Sequence, residues 1–366
     1  MNKETIPGSQ TTSITIMFMI GSSLFMGGSQ QSGNSIWIAL LLAIAISVPL
    51  MCLYARLHVL FPDKNIFDML IAVFGRVVGK MITCLYIWYA LHLGSLVLRN
   101  FGEFSKTVPL NETPMIVPML CIGLLSVWAV KAGIEVIGRT AKFLVLLTLF
   151  AIFILQILSI SKFEFHHLLP LLDIDWNDVL NDTLSEFTFP FAEIVLLLGA
   201  FHSMSNQSSA YRVLLRGMLI SGGVILLVYL RNLLMLSPNI LSGLYFPSYV
   251  AISRITIGDF LTRMEGSAAI LFVTAIFIKV SLCLYVISQG ISKLFNLKTY
   301  RSVVLQMGLV MVYLSVFIYK DIMEMEYFAY NIYKAYAVPF QLLIPLMLWI
   351  GGEIIARRNK SKVAPV

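Results

Sequence analysis

The sequence predicts an all-α integral membrane protein of about ten transmembrane helices, arranged as two inverted five-helix repeats with helices 1 and 6 interrupted. Three observations lead there. The 366 residues are 58% hydrophobic and only 12% charged, whereas soluble domains run near half and a quarter. The apolar residues fall in runs of roughly 18 or more, the length a helix needs to cross a bilayer, not in the short alternating runs of a barrel. Breaks rich in glycine or holding proline occur at matching places in the two halves, the sequence mark of an inverted-repeat transporter fold.

The spans are expected at roughly residues 10–30, 36–60, 80–102, 114–130, 138–160, 184–204, 213–236, 266–290, 300–319 and 335–356. The first has no positive leader and no small-residue cleavage site, so it reads as a retained helix rather than a signal peptide. It contains "MIGSSLFMGGSQQSG", Met19 to Gly33, where each glycine weakens a helix by about 1 kcal/mol relative to alanine. Unwound backbone in a membrane is tolerated only where protein or a water-filled cavity satisfies it. Free N–H groups at Gly21, Ser22, Ser23 and Leu24 are therefore expected to hold a carboxylate, and nearby carbonyls an ammonium or a cation. The competing reading is that Gly21, Gly27 and Gly28 only allow close helix packing.

Span 3 carries Tyr86, Trp88 and Tyr89, of which Tyr89 lies deepest, and His92, read as a bonded core histidine. Arg99 and Glu103 close it at i and i+4, as an interfacial anchor or a gate. The longest polar connection, Ser161 to Glu186, is acidic and is expected to form short helices on the membrane surface. It divides the single membrane domain into a first repeat (1–160), a connection (161–183), a second repeat (184–356) and a basic tail (357–366). Span 6 reads "TLSEFTFPFAEIVLLLGAFHS". Pro190 has no N–H, so the carbonyl of Glu186 loses its helical partner, and Phe189 and Glu193 stand on either side of this break. Arg231 near the end of span 7 is read as snorkelling to the surface. Lys279 stands near the middle of span 8, where an ionisable group costs at least about 2.5 kcal/mol. Helical spacing puts it on one face with Phe272, Ala275 and Cys283. A functional role is favoured over a structural lysine, and Glu193 is the counter-ion of Lys279 or of a ligand ammonium.

Orientation follows from the basic residues. Arg56, Lys64, Arg76, Lys80, Lys131, Arg139, Lys142, Arg212, Arg216, Lys293, Lys298 and Arg301 fall on the side of both termini, together with Lys3 and the tail. The other side carries only Arg99, Lys106, Lys162, Arg254, Arg263, Lys320 and Lys334. Basic loops stay cytoplasmic, so both termini are expected there. The net charge of +7 is then a topological bias, not a nucleic-acid footprint. Cys52, Cys84, Cys121 and Cys283 lie scattered in spans without CxxC spacing, which disfavours disulfides and structural zinc. There is no HExxH, GxSxG, Walker loop or GxGxxG, so no enzyme, metal or cofactor is expected.

The chain resembles the B-subunit of bacterial spore germinant receptors, a family distantly similar to the amino acid–polyamine–organocation permeases of LeuT-like fold. The resemblance covers nearly the whole chain and rests on the order of several motifs. These are the glycine-rich stretch of span 1, "PDKNIFDML" and "FGRVVGK" after span 2, Arg99-xxx-Glu103, and "GRTAKF" opening span 5. They continue with "LLPLLDID", Pro190-Phe191-Ala192-Glu193, "RMEG" and "SQGISKLFNL". It implies a central site between spans 1, 3, 6 and 8 for a free amino acid or similar nutrient. By position, the resemblance matches Tyr89, Leu93, Lys279 and Cys283 to pocket-lining positions of the family. The candidate ligand set is thus Gly21, Ser22, Ser23, Leu24, Tyr89, Leu93, Phe189, Glu193, Lys279 and Cys283. The resemblance also implies a receptor A-subunit and a lipoprotein C-subunit as partners, and the cell membrane or spore inner membrane as location. Two departures matter: "GSSL" lacks a second early glycine, and Lys279 and Cys283 replace the threonine and tyrosine expected of an alanine sensor. Receptor, amino-acid or organic-amine carrier, and structural scaffold are the competing functions. The deep Lys279 and the interrupted helices argue against the scaffold.

Overall fold

The computed structural model describes residues 4–26, 31–107, 112–170, 174–204, 209–255 and 265–363. In chain order, α1 (Gly8–Met26), α2 (Ile36–Leu60), α3 (Ile66–Thr107), α4 (Ile116–Ala132) and α5 (Ile134–Ser159) form the first half. The second half has α6 (Trp176–Glu186), an interrupted stretch through Ser203, α7 (Ala210–Leu236), α8 (Glu265–Leu294), α9 (Val304–Phe317) and α10 (Ile322–Arg358). No strand occurs among the described residues; Ile6 and Met204 make one isolated parallel bridge. By length and composition α2, α3, α5, α7, α8 and α10 can each cross a membrane, and α4 and α9 are shorter apolar helices. Lys3, Gly27, Gly28, Arg263 and the tail end, 364–366, lie outside the described residues.

Helix α8 is the centre of the bundle. Of its most apolar window 83% is buried, against 28–50% in the other long helices, and it packs on α1, α3, α4 and α5. A helix apolar on all faces belongs inside, and that is where α8 lies. Helix α1 packs between α5, α7 and α8, and α2 between α6 and α7. The remaining helices turn large apolar side chains outward, among them Trp128, Phe143, Phe150 and Phe153, the surface lipid requires.

Span 2 begins and ends as predicted, while spans 3 and 10 start earlier, at Ile66 and Ile322. The early part of α3 is a separate segment. Asn65 Oδ1 accepts the Asp68 N–H at 2.9 Å and caps its start. Gly75 then takes φ 79° and ψ 177°, open only to glycine. A Cβ on Gly79 would lie 2.8 Å from the Leu70 carbonyl oxygen, so a second glycine is needed for the chain to fold back. This is the physical content of "FGRVVGK".

The connection after α5 is built from short helical segments. Short 3₁₀ turns at Ile160–Lys162 and Phe165–Leu168 occupy its start. From Trp176 the chain is already α6, with Asp175 accepting the Asn177 N–H at 2.9 Å as its cap. Helix α6 packs on α2 and leads directly into the break of span 6.

The first span departs from expectation. Helix α1 continues through Gly21, Ser22, Ser23 and Leu24 to Met26, so those amides stay within the helix and form no carboxylate cradle. The small polar residues return their hydroxyls to the helix: Ser23 Oγ donates to the Met19 carbonyl at 2.6 Å and Thr15 Oγ1 to that of Thr11 at 2.9 Å. Gly21 serves close approach instead. A Cβ there would stand 2.9 Å from Lys279 Cδ and 3.3 Å from Lys279 Cβ. Packing against α8 outweighs the small helix-propensity cost of one glycine.

Candidate functional site

The site begins where span 6 loses its α-helical bonds. Helix α6 ends at Glu186, Phe187–Phe191 follows as a wide turn holding Pro190, and Ala192–Gly199 continues as tight 3₁₀ backbone. Phe189 is extended, φ −137° and ψ 112°. Side chains from other helices satisfy the carbonyls this exposes. Gln341 Nε2 of α10 donates to the Thr188 carbonyl at 2.9 Å, and the Tyr54 hydroxyl of α2 donates to that of Ala192 at 3.3 Å. Irregular backbone at this depth is stable only with such partners.

Glu193 projects from the far side of the break and is fully buried, as is Lys279 of α8. Lys279 Nζ lies 2.6 Å from Glu193 Oε2 and 3.2 Å from Ser22 Oγ of α1. The ammonium also faces the rings of Phe18 and Phe189, at 5.2 and 4.9 Å from their centroids, where the π-face attracts a cation. The Tyr333 hydroxyl of α10 donates to Glu193 Oε1 at 2.6 Å. Tyr333 and Tyr89 share a hydroxyl contact at 3.1 Å, and Gln341 Nε2 reaches Tyr89 at 2.8 Å. One polar chain thus ties α1, α3, the break, α8 and α10 together. Both charges have a partner, which a buried ion pair requires.

A narrow cleft opens on one side of this chain, with room in this conformation for about one water-sized molecule. Met26 of α1, Leu96 and Asn100 of α3, and Ser185, Glu186, Phe189 and Glu193 of α6 and its continuation line it. Ala329, Tyr330 and Tyr333 of α10 complete it. Its mixed polar, apolar and aromatic lining is of the kind that receives a small organic molecule once the cleft widens.

The ten predicted residues therefore divide. Phe189 and Glu193 line the cleft, with Lys279, Ser22, Gly21 and Tyr89 directly behind them. Ser23 bonds its own helix. Leu24 turns away into a gap it shares with Ile152, Leu155, Val228 and Arg231. Leu93 is a buried core residue, and Cys283 packs in the seam of α3, α8 and α9, beside Gly94 and Met311.

Three further readings change. Arg99 and Glu103 are buried rather than interfacial. Arg99 Nε meets Glu103 Oε1 at 2.8 Å, and its Nη1 donates to the carbonyls of Val316 and Tyr319 at 2.9 and 2.8 Å. The guanidinium thereby caps the C-terminal end of α9, where carbonyls attract positive charge. Arg231 does not snorkel: it is 3% exposed and bonds Asn232 Oδ1 at 2.9 Å. His92 is boxed by Trp88, Phe328 and Tyr336, and its Nδ1 has no bond partner among the described residues.

The sequence reading missed Tyr333, Gln341, Tyr54, Asn100 and Glu186. Gln341 had a signal, an amide inside an apolar run, as had Glu186, a carboxylate four residues before Pro190. The tyrosines had none, because tyrosines in spans are mostly packing or interface residues.

Comparison with known proteins bears on the family and the fold. The family described as "Spore germination protein" matches residues 5–324. Spore germination protein KB of Bacillus subtilis (strain 168) is 30% identical over 99% of the chain and 98% of that protein. Among solved structures, Mhp1, a nucleobase–cation symport-1 family transporter closed around bromovinylhydantoin, superposes with TM-score 0.67 at 12% identity. It covers 96% of this chain and 90% of its own. MhsT in complex with L-phenylalanine superposes with TM-score 0.66 at 15% identity, over 97% and 89%. At that identity the likeness establishes the all-helical transporter fold and nothing finer.

Proposed function

Because the chain belongs to the spore germination protein family, we propose that it is the membrane subunit of a spore germinant receptor. In this reading it binds a small, amino acid-like nutrient in the cleft beside Glu193 and passes that event to an A-subunit and a lipoprotein C-subunit. The protein is an integral membrane protein of transporter fold, not an enzyme. It would lie in the spore inner membrane with both termini on the cytoplasmic side, as the basic residues ask.

The observation that carries the reading is the buried Lys279–Glu193 pair at 2.6 Å, placed between α1, the break of span 6 and α10, with Glu193 also lining the cleft. A ligand shifts a protein only through different affinities for its two states. Contact at Glu193 bears on all these elements at once, so closing or opening the cleft changes its bonds. Lys279 places its side-chain nitrogen between α1 and α8, where a cation-coupled protein of this fold would bind its ion. Its three donors reach Ser22 and Glu193 without any ion, which suits a sensor better than a pump.

The test is deletion of the gene followed by germination on single nutrients. Loss of response to one nutrient class is the expected result, and unchanged germination on every nutrient overturns the receptor reading. The second reading is a carrier, favoured by the transporters that share the fold. Accumulation of that labelled nutrient by vesicles containing the chain, absent from empty vesicles, would select it.

A further inference from the structure

We infer that Glu186 and Asn100 form a subsite in the cleft for the protonated amine of the ligand, distinct from the Lys279–Glu193 pair. Both residues line the cleft, and both are buried, at 1% and 0% exposure. Neither carboxamide atom of Asn100 has a hydrogen-bond partner among the described residues, and neither has Glu186 Oε2. Glu186 Oε1 receives a long bond, 3.4 Å, from the Tyr229 hydroxyl. Buried polar groups are otherwise almost always paired, so two such side chains facing one cavity mark a place built for a ligand's own donors and acceptors.

The sign of the charge follows from where the cations go. Arg99, next to Asn100, is spent on Glu103 and the end of α9. Lys279 is held by Glu193, and Arg231 by Asn232. The cleft tyrosines donate elsewhere, Tyr330 to the Met26 carbonyl at 3.1 Å and Tyr333 to Glu193 at 2.6 Å. Glu186 thus brings a carboxyl group to the cleft with no protein cation beside it among the described residues, and a buried carboxylate without a counter-charge is costly. A ligand ammonium removes that cost. Its three N–H donors find Glu186 Oε2 and Asn100 Oδ1, and the aromatic rings of Tyr330 and Tyr333 line the same cleft. A ligand carboxylate meets no such welcome, since the amides of Gly21–Leu24 are used inside α1. An inorganic ion must replace a full shell of oxygens, and the cleft presents two unpartnered acceptors among aromatic walls. The biological use of the subsite rests on the receptor reading above; the binding itself does not.

The test is thermal melting of the full-length chain in lipid nanodiscs, with methylammonium chloride titrated at constant ionic strength against sodium and potassium chloride. A saturable rise in melting temperature with methylammonium alone is expected, with apparent affinity at least tenfold weaker in Glu186→Gln and in Asn100→Leu. Absence of a saturable rise in the parent, or equal affinity in both variants, overturns the subsite. A saturable potassium or sodium effect lost in Glu186→Gln overturns it too, by assigning the place to an inorganic ion. Should Glu186→Gln show no folded baseline, Asn100→Leu decides by the same criterion. Normal germination of spores lacking the chain would overturn the receptor reading while leaving this titration intact, so the two failures are told apart.

Discussion

Lys279 is the residue on which most of the polar chain depends. Its stem passes over Gly21 and its ammonium meets Glu193 and Ser22. Lys279→Met keeps much of the length and leaves Glu193 buried with Tyr333 alone. Breaking one side of a buried ion pair costs about 3–5 kcal/mol, so a lower melting temperature and loss of nutrient response are expected. Lys279→Arg keeps the charge, but a planar fork does not fit where a compact ammonium reaches two oxygens, so the response should be weakened at near-normal protein level. Full response in the methionine variant returns Lys279 to packing. Gly21→Leu tests the same contact from α1. With a Cβ 2.9 Å from Lys279 Cδ, it should push the lysine off Glu193 and reduce the response while the protein still reaches the membrane. Germination kinetics beside an immunoblot of membrane fractions measure both variants, and an unaltered nutrient sensitivity in Gly21→Leu would place the coupling elsewhere.

Among elements, the interrupted stretch after α6 depends on neighbours for its hydrogen bonds. Gln341→Leu removes the donor to Thr188 and Tyr89. An unsatisfied buried carbonyl costs about 1–3 kcal/mol, so faster amide exchange confined to Phe187–Gly199 is expected, read by hydrogen exchange with mass spectrometry. Uniform exchange across the chain would instead mean a global loss of stability. Cys283→Tyr bears on a different element. Cys283 sits in the seam of α3, α8 and α9 beside Gly94 and Met311, and overpacking such a seam costs about 1–3 kcal/mol. A lowered melting temperature with an unchanged ranking of nutrients is the expected outcome, and a changed ranking restores Cys283 to the ligand wall. Span 2, whose limits match the sequence reading, and span 1, which stays helical through Gly21–Leu24, show what elements disclose. Apolar length is a property of one segment, whereas the fate of "GSSL" depends on which helix lies against it.

For the whole molecule, the fixed ammonium between α1 and α8 predicts a nutrient response that is the same in sodium-free and sodium-containing buffer. Germination rate measured in potassium and in sodium salts checks this, and sodium dependence of the parent protein sinks the idea that Lys279 stands in for an ion. The membrane class, the transporter fold and the family were legible in the sequence, because a bilayer imposes length and apolarity on each span separately and the motifs keep their order. Pro190 and the deep charges Glu193 and Lys279 were legible as well, since each is costly enough in a membrane to stand out alone. Whether Lys279 pairs with Glu193 was not, for the two are 86 residues apart and a pair is a fact about two surfaces. Nor did sequence show that Arg99, read as an interfacial anchor or a gate, caps a helix end, or separate a tyrosine bonded to Glu193 from the tyrosines that only pack. Covalent chemistry and the solvent decide what each segment must be. Which polar groups end up sharing a cavity is decided by packing separate stretches of chain against one another and around one buried helix, and only the tertiary structure contains that.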